Sequence, residues 1–231
     1  MNRTTVRRWA AEAAGTGLLV GIGTGTIVAA GKIGGIPQWL MGIAWFLAVF
    51  IPVALFISIS GAHLNPVVTL ALAFSGRVAW RTVPEYWAAQ FVGAFLGSGF
   101  VLASLGRGSH LGATFPMQGG LPLDFLGEAG FTGLLIAAVF DLADRGEGRA
   151  RWRLVLPALV VGVSTFLIGP LTGSSLNPAR TIAPAVMSGT FTDLWLYLTA
   201  APLAAVAVAA FWRPRSVDIA DRGPGRLESI P

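Results

Sequence analysis

The chain has no cysteine, only two histidines and little charge of either sign. Without cysteine there is no disulfide framework, thiol nucleophile or thiolate metal site, and nothing follows about redox compartment. His63 and His110 are too few for most histidine-based metal sites. No Ser/His/Asp set, metal cluster or phosphate loop is present, so the sequence points away from an enzyme and requires no cofactor. Charged residues make up 12% of the 231 residues, about half the ~25% of an ordinary soluble domain.

Apolar length is what the chain has in abundance. Hydrophobic residues account for 54%, there are 30 glycines, and the mean hydropathy is +0.70. A soluble protein of this size needs far more polar surface, so the bilayer is the solvent for most of the chain. The net charge of +5 does not indicate nucleic acid, because the basic residues lie in short patches between apolar segments, as in membrane loops.

Six apolar stretches are long enough to cross about 30 Å of hydrocarbon as helix: residues 9–30, 39–59, 83–105, 125–143, 154–171 and 194–212. The first follows Arg3, Arg7 and Arg8 and resembles a signal peptide. However, it carries Glu12, and a later segment repeats it, so it reads as a retained helix. Six spans put both termini and the loops after spans two and four on one side. That side holds Arg3, Arg7, Arg8, Arg77, Arg81, Arg145, Arg149, Arg151, Arg153, Arg213, Arg215, Arg222 and Arg226. The other side holds Lys32 and Arg107, which leaves only Arg180 of the 16 Lys and Arg to be explained. The positive-inside rule then predicts cytoplasmic termini in a cell (inner) membrane. The polar, proline-containing tail over 213–231 reads as disordered.

The halves 9–105 and 125–212 repeat one another. Glu12, Thr16, Gly17, Leu18 and Leu19 match Glu128, Thr132, Gly133, Leu134 and Leu135. Gly61, Leu64, Asn65, Pro66 and Thr69, at the end of span two, match Gly173, Leu176, Asn177, Pro178 and Thr181 after span five. Three spans per repeat is odd, so the copies enter the membrane from opposite faces and their working site is expected at the midplane. Each Asn-Pro opens a short apolar stretch, 67–74 and 179–186, too short to span. Asn is a favoured N-cap and Pro suits the first helical position, so each stretch is predicted to be a re-entrant half-helix. The expected architecture is an all-α membrane protein forming a single channel domain over 1–231, with six transmembrane helices and two half-helices in an inverted repeat.

The run from Ser60 to Thr69 and the motif Asn177-Pro178-Ala179-Arg180 resemble the paired signature loops of aquaporins and aquaglyceroporins, the major intrinsic protein family. The resemblance covers nearly the whole chain. It implies a passive channel for water and small uncharged solutes that excludes protons and ions, and a homotetramer with one pore per subunit. Asn65, Pro66, Val67, Asn177, Pro178 and Ala179 then form the central constriction, with each asparagine offering its NH₂ to the permeant. Glu12 and Glu128 support the loops by accepting from their backbone amides. Val67 stands where the family usually has alanine, and either narrows the constriction or changes its packing.

Family spacing places an outer selectivity filter at Trp45, Thr165, Ser174 and Arg180. This set comes closest to the nodulin-like plant channels and their bacterial relatives. With no histidine at Thr165 the filter is wider, which predicts glycerol-like polyols alongside water, with neutral metalloid hydroxides as further candidates. Thr181 and Ala185 lean instead to the water pattern, so a strict water channel is the alternative. An ion-coupled secondary transporter is the alternative from another class, with Glu12, Glu128 and Asp141 as its only candidate proton carriers. His63 reads as a vestibule histidine bonded to nearby backbone rather than as a gate, and Gly93 and Gly97 as helix-packing residues.

Overall fold

The computed structural model describes residues 3–117, 120–144 and 154–212. Eight α-helices and one short 3₁₀ turn, with no strand, make up the regular structure of these residues. The long helices are α1 (Arg3–Lys32), α2 (Gln38–Ser60), α4 (Thr82–Leu105), α5 (Leu121–Asp144), α6 (Val155–Thr172) and α8 (Leu194–Phe211). All six are long and apolar enough to cross a membrane. Their outward faces are apolar too: Leu96, Phe100, Leu126 and Leu203 are each more than 60% exposed, as lipid requires and water would penalise.

The half-helices are α3 (Pro66–Phe74) and α7 (Pro178–Ser188). Both start where the Asn-Pro pairs predicted, one residue earlier than the apolar stretches. α7 runs two residues beyond its stretch and closes on Gly189 in the left-handed conformation. Arg145, Arg149, Arg151, Arg153, Arg213, Arg215, Arg222, Arg226 and the whole 213–231 tail lie outside the described residues.

Each half contributes three long helices and one half-helix. In the first, α1 packs against α2 and α4; in the second, α5 packs against α6 and α8. The halves meet along α2 and α6. Each half-helix also crosses over, α3 packing against α8 and α7 against α4. The Asn-Pro loops are therefore held between the halves rather than at the rim.

Small residues set the closest approaches. A Cβ on Gly93 of α4 would collide with the Ala13 carbonyl of α1, and one on Gly97 with the Gly17 carbonyl. Gly42 and Gly162 do the same for α2 and α6, each Cβ falling 2.9 Å from the other's carbonyl oxygen. Without a hydrophobic force between helices in lipid, such backbone-to-backbone packing holds the bundle together. Gly133, which matches Gly17 in the repeat, is looser: its Cβ would meet Val208 at an ordinary 3.5 Å, whereas one on Gly17 would lie 3.1 Å from the Gly93 carbonyl oxygen.

Gly93→Val should therefore lower the apparent melting temperature of the purified protein, with an overpacking cost of about 1–3 kcal/mol. Gly133→Val should leave it nearly unchanged, and tryptophan fluorescence during thermal melts in detergent compares the two.

Candidate channel and selectivity site

The site is built from two loops with matching conformations. α2 and α6 end on glycines in the left-handed region, Gly61 (φ 84°) and Gly173 (φ 78°). Two further residues in each loop, Ala62 and Leu64, Ser174 and Leu176, also take positive φ between 45° and 55°. For residues with a Cβ this costs of order 1–3 kcal/mol each and persists only where the surroundings enforce it.

Glu12 and Glu128 do the enforcing. Both are fully buried. The Glu12 carboxylate accepts from the backbone N–H groups of His63 (2.9 Å) and Leu64 (2.8 Å), from the Ser60 hydroxyl (2.6 Å) and from Gln90 Nε2 (2.8 Å). Glu128 accepts from the N–H groups of Ser175 and Leu176, both at 2.9 Å, and from the Thr172 hydroxyl at 2.7 Å. The tyrosines repeat as well, Tyr86 donating to the Ser60 carbonyl and Tyr197 to that of Thr172. Every contact to either glutamate presents a donor, which suits a carboxylate held as a fixed acceptor.

The loops deliver Asn65 and Asn177 to facing positions at the half-helix N-termini. Asn65 Oδ1 accepts from the Val67 N–H at 3.0 Å; Asn177 Oδ1 accepts from Ala179 (3.0 Å) and Arg180 (3.3 Å). Each Nδ2 donates one hydrogen across the repeat axis, Asn65 to the Leu176 carbonyl (2.8 Å) and Asn177 to that of Leu64 (2.9 Å). A carboxamide nitrogen has two hydrogens, so one on each asparagine remains for another acceptor. Pro66 and Pro178 begin the helices.

Asn65 and Asn177 line a cavity of about 70 Å³, room for roughly five to seven waters at the ~10–15 Å³ each needs. Its walls differ in character. Val49, Val53, Leu135 and Val161 form the apolar side, while the loop residues from Gly61 to Asn65, with Ser175 and Asn177, form the polar side. Val67 does not line it and is 1% exposed within the core, as is fully buried Ala179.

Trp45 stands at one end of the cavity, and the Arg180 guanidinium lies over its ring, 4.5 Å from the centroid. Arg180 Nη1 donates to the Gly112 carbonyl (2.7 Å) and Nη2 reaches that of Gly173 (3.5 Å). The Ser174 hydroxyl has one side-chain partner and keeps acceptor capacity. It pairs with Ser164 at 2.8 Å, next to Thr165 on α6. Thr165 Oγ1 and Arg180 Nε are buried with no protein partner among the described residues. All four residues are at most 3% exposed.

Three features escaped the sequence. The 3₁₀ turn at Gly108–Gly112 carries Ser109, His110 and Leu111 in left-handed conformations, and Gly112 places its carbonyl on Arg180. Thr114, two residues on, pairs with the Thr181 hydroxyl, which also contacts Ser175. Only the cluster of glycines at 106, 108 and 112 hinted that this outer loop folds inward. His63 also needs correction. Its ring pairs with the Thr69 hydroxyl at 3.1 Å and packs on Tyr86, so its partner is a side chain rather than nearby backbone.

This six-span inverted repeat, with paired Asn-capped half-helices around an internal cavity, defines a membrane channel of the aquaporin type. Residues 1–212 match the family model "Major intrinsic protein". Among curated relatives, aquaporin NIP1-1 of Zea mays is 35% identical over 206 residues, covering 88% of this chain and 73% of the relative. The probable aquaporin AqpM of Archaeoglobus fulgidus is 36% identical, covering 92% and 97%. The aquaglyceroporin structure from Plasmodium falciparum superimposes with a TM-score of 0.79 at 26% identity, over 91% of this chain and 96% of that one. The chain belongs to the major intrinsic protein family, a family of multi-pass membrane channels rather than enzymes.

Glu128→Gln should turn one acceptor into a donor facing the Ser175 and Leu176 N–H groups, costing about 1–3 kcal/mol for the unpaired group. A lower melting temperature together with reduced osmotic water permeability in proteoliposomes is the expected outcome.

Proposed function

We propose that the protein conducts water and small uncharged solutes of the glycerol class passively, and excludes protons and ions. The observation that carries this reading is the pair of facing asparagines, each with one amide hydrogen unassigned, on helix N-termini beside a mostly apolar cavity. Each N-terminus contributes roughly half a positive charge, so the midplane repels cations while neutral molecules pass. Arg180 adds a full charge at the outer filter, with Trp45 as apolar wall and the Thr165 hydroxyl as hydrogen-bonding group. A buried arginine at membrane depth is functional by default. Ion coupling is disfavoured because Glu12 and Glu128 are saturated with loop donors.

A cytoplasmic N-terminus is supported by Arg3, Arg7 and Arg8 on α1 and by Arg77 and Arg81 beyond α3, against Lys32 and Arg107 opposite. Arg77 is bidentate to Asp144 at the end of α5, which puts that helix end on the same side. A tetramer in the cell membrane completes the proposal, on the family resemblance alone.

Strict water conduction is the second reading, favoured by the stacking of Arg180 on Trp45 and the near-complete burial of the filter. Stopped-flow light scattering on proteoliposomes separates the two. Glycerol-driven reswelling above empty liposomes supports the polyol reading, and rapid water shrinkage without reswelling supports the strict one. Thr165→His should lower the glycerol-to-water ratio; an unchanged ratio would remove Thr165 from the filter. If neither solute crosses faster than in empty liposomes, the proposal fails.

A further inference from the structure

We propose that Gly23 of α1, which does not line the cavity, is a specificity-determining position that sets the aperture by fixing where the Trp45 ring stands. The inference rests on the reading of Trp45 as a filter residue. A Cβ built on Gly23 would lie 2.6 Å from Trp45 Cη2, 2.7 Å from Cζ3 and 2.8 Å from Cζ2. Carbon contacts settle at about 3.5–4.0 Å, so one methyl group requires the ring to retreat by roughly 1 Å. The three atoms are the outer edge of a rigid bicycle, which cannot bend locally to escape. The whole indole must move, and α1 blocks one direction. The ring then shifts towards the cavity it borders or against the guanidinium stacked on it.

The adjacent residue backs the opposite wall. A Cβ on Gly112, whose φ is +70°, would meet Thr24 Cβ at 2.8 Å, and the Gly112 carbonyl holds Arg180. One turn of α1 thus supports both faces of the filter, Trp45 through Gly23 and Arg180 through Thr24 and Gly112. Aperture depends on a residue that no permeating molecule touches. Gly23 admits a tryptophan flush against α1, where alanine would force the same tryptophan inward.

The test compares the full-length protein with Gly23→Ala, Trp45→Phe and the double variant. All four are reconstituted at equal density and assayed for water and for a size series of neutral solutes from formamide to glycerol. Gly23→Ala should lower permeability to the largest solute admitted by about tenfold, the low end of what one methylene is worth in a tight pocket. Water should fall less. Trp45→Phe should raise the solute-to-water ratio, and adding it to Gly23→Ala should restore solute flux, because the smaller ring leaves room for the methyl. If the wild type admits only water, the same loss and rescue are read on water permeability.

A normal ratio in Gly23→Ala beside a changed one in Trp45→Phe overturns the inference and leaves Trp45 in the filter. Unchanged ratios in all three variants overturn both. Loss of folded or active Gly23→Ala protein that Trp45→Phe does not restore also overturns it, because the defect then lies in α1 packing.

Discussion

Two buried carboxylates hold the rest of this structure in place. A short loop with three residues at positive φ, two of them carrying side chains, does not keep its shape unaided. Glu12 and Glu128 each reach from one helix into such a loop and take two consecutive backbone N–H groups, with a hydroxyl from the preceding helix end. Hydrogen bonds to a charged group contribute about 1.5–3 kcal/mol each, enough to offset the backbone strain. If either clamp is lost, the asparagine immediately after the clamped pair has no fixed address.

Once the loops are fixed, the chemistry of the cavity follows. Two half-helices enter from opposite faces, and their positive ends meet at the midplane. Apart from His63, no titratable residue among those described lines the cavity there. On the proposed function, a passing molecule meets apolar side chains and a hydrogen-bonding strip, so a neutral one gains directed contacts while an ion loses hydration without compensation. The repeat is also asymmetric. Where the second loop has Arg180 three residues after its asparagine, the first has Val68, so the proposed charged filter lies at one end only. At the other, the cavity reaches His63 and Leu142.

Much of this was legible in the sequence because it rests on local or repeated signals. Hydropathy marked the six spans. Asn65-Pro66 and Asn177-Pro178 marked the half-helix starts because capping and proline placement are local rules, and the repeated glutamates marked the loop supports. What stayed hidden depends on contacts between distant elements. Nothing near Gly23 says that an indole from α2 will rest on it, since Gly23 is one of six glycines in α1. Beyond its glycines, nothing in residues 108–114 announces an inward-folding loop, because Ser109 and Leu111 are not residues that ordinarily signal positive φ. Ser174 was placed by spacing, but its hydroxyl orientation is set by Ser164 on another helix, which spacing alone does not convey.

The central claim is that the paired positive helix ends pass neutral molecules and stop protons. The most direct measurement is proton leak in proteoliposomes carrying a pH-sensitive dye, under an imposed pH gradient, beside osmotic water permeability of the same vesicles. The account predicts water permeability well above empty vesicles with proton leak indistinguishable from them. A proton leak that rises with protein density would contradict it, and would return the buried glutamates to consideration as carriers.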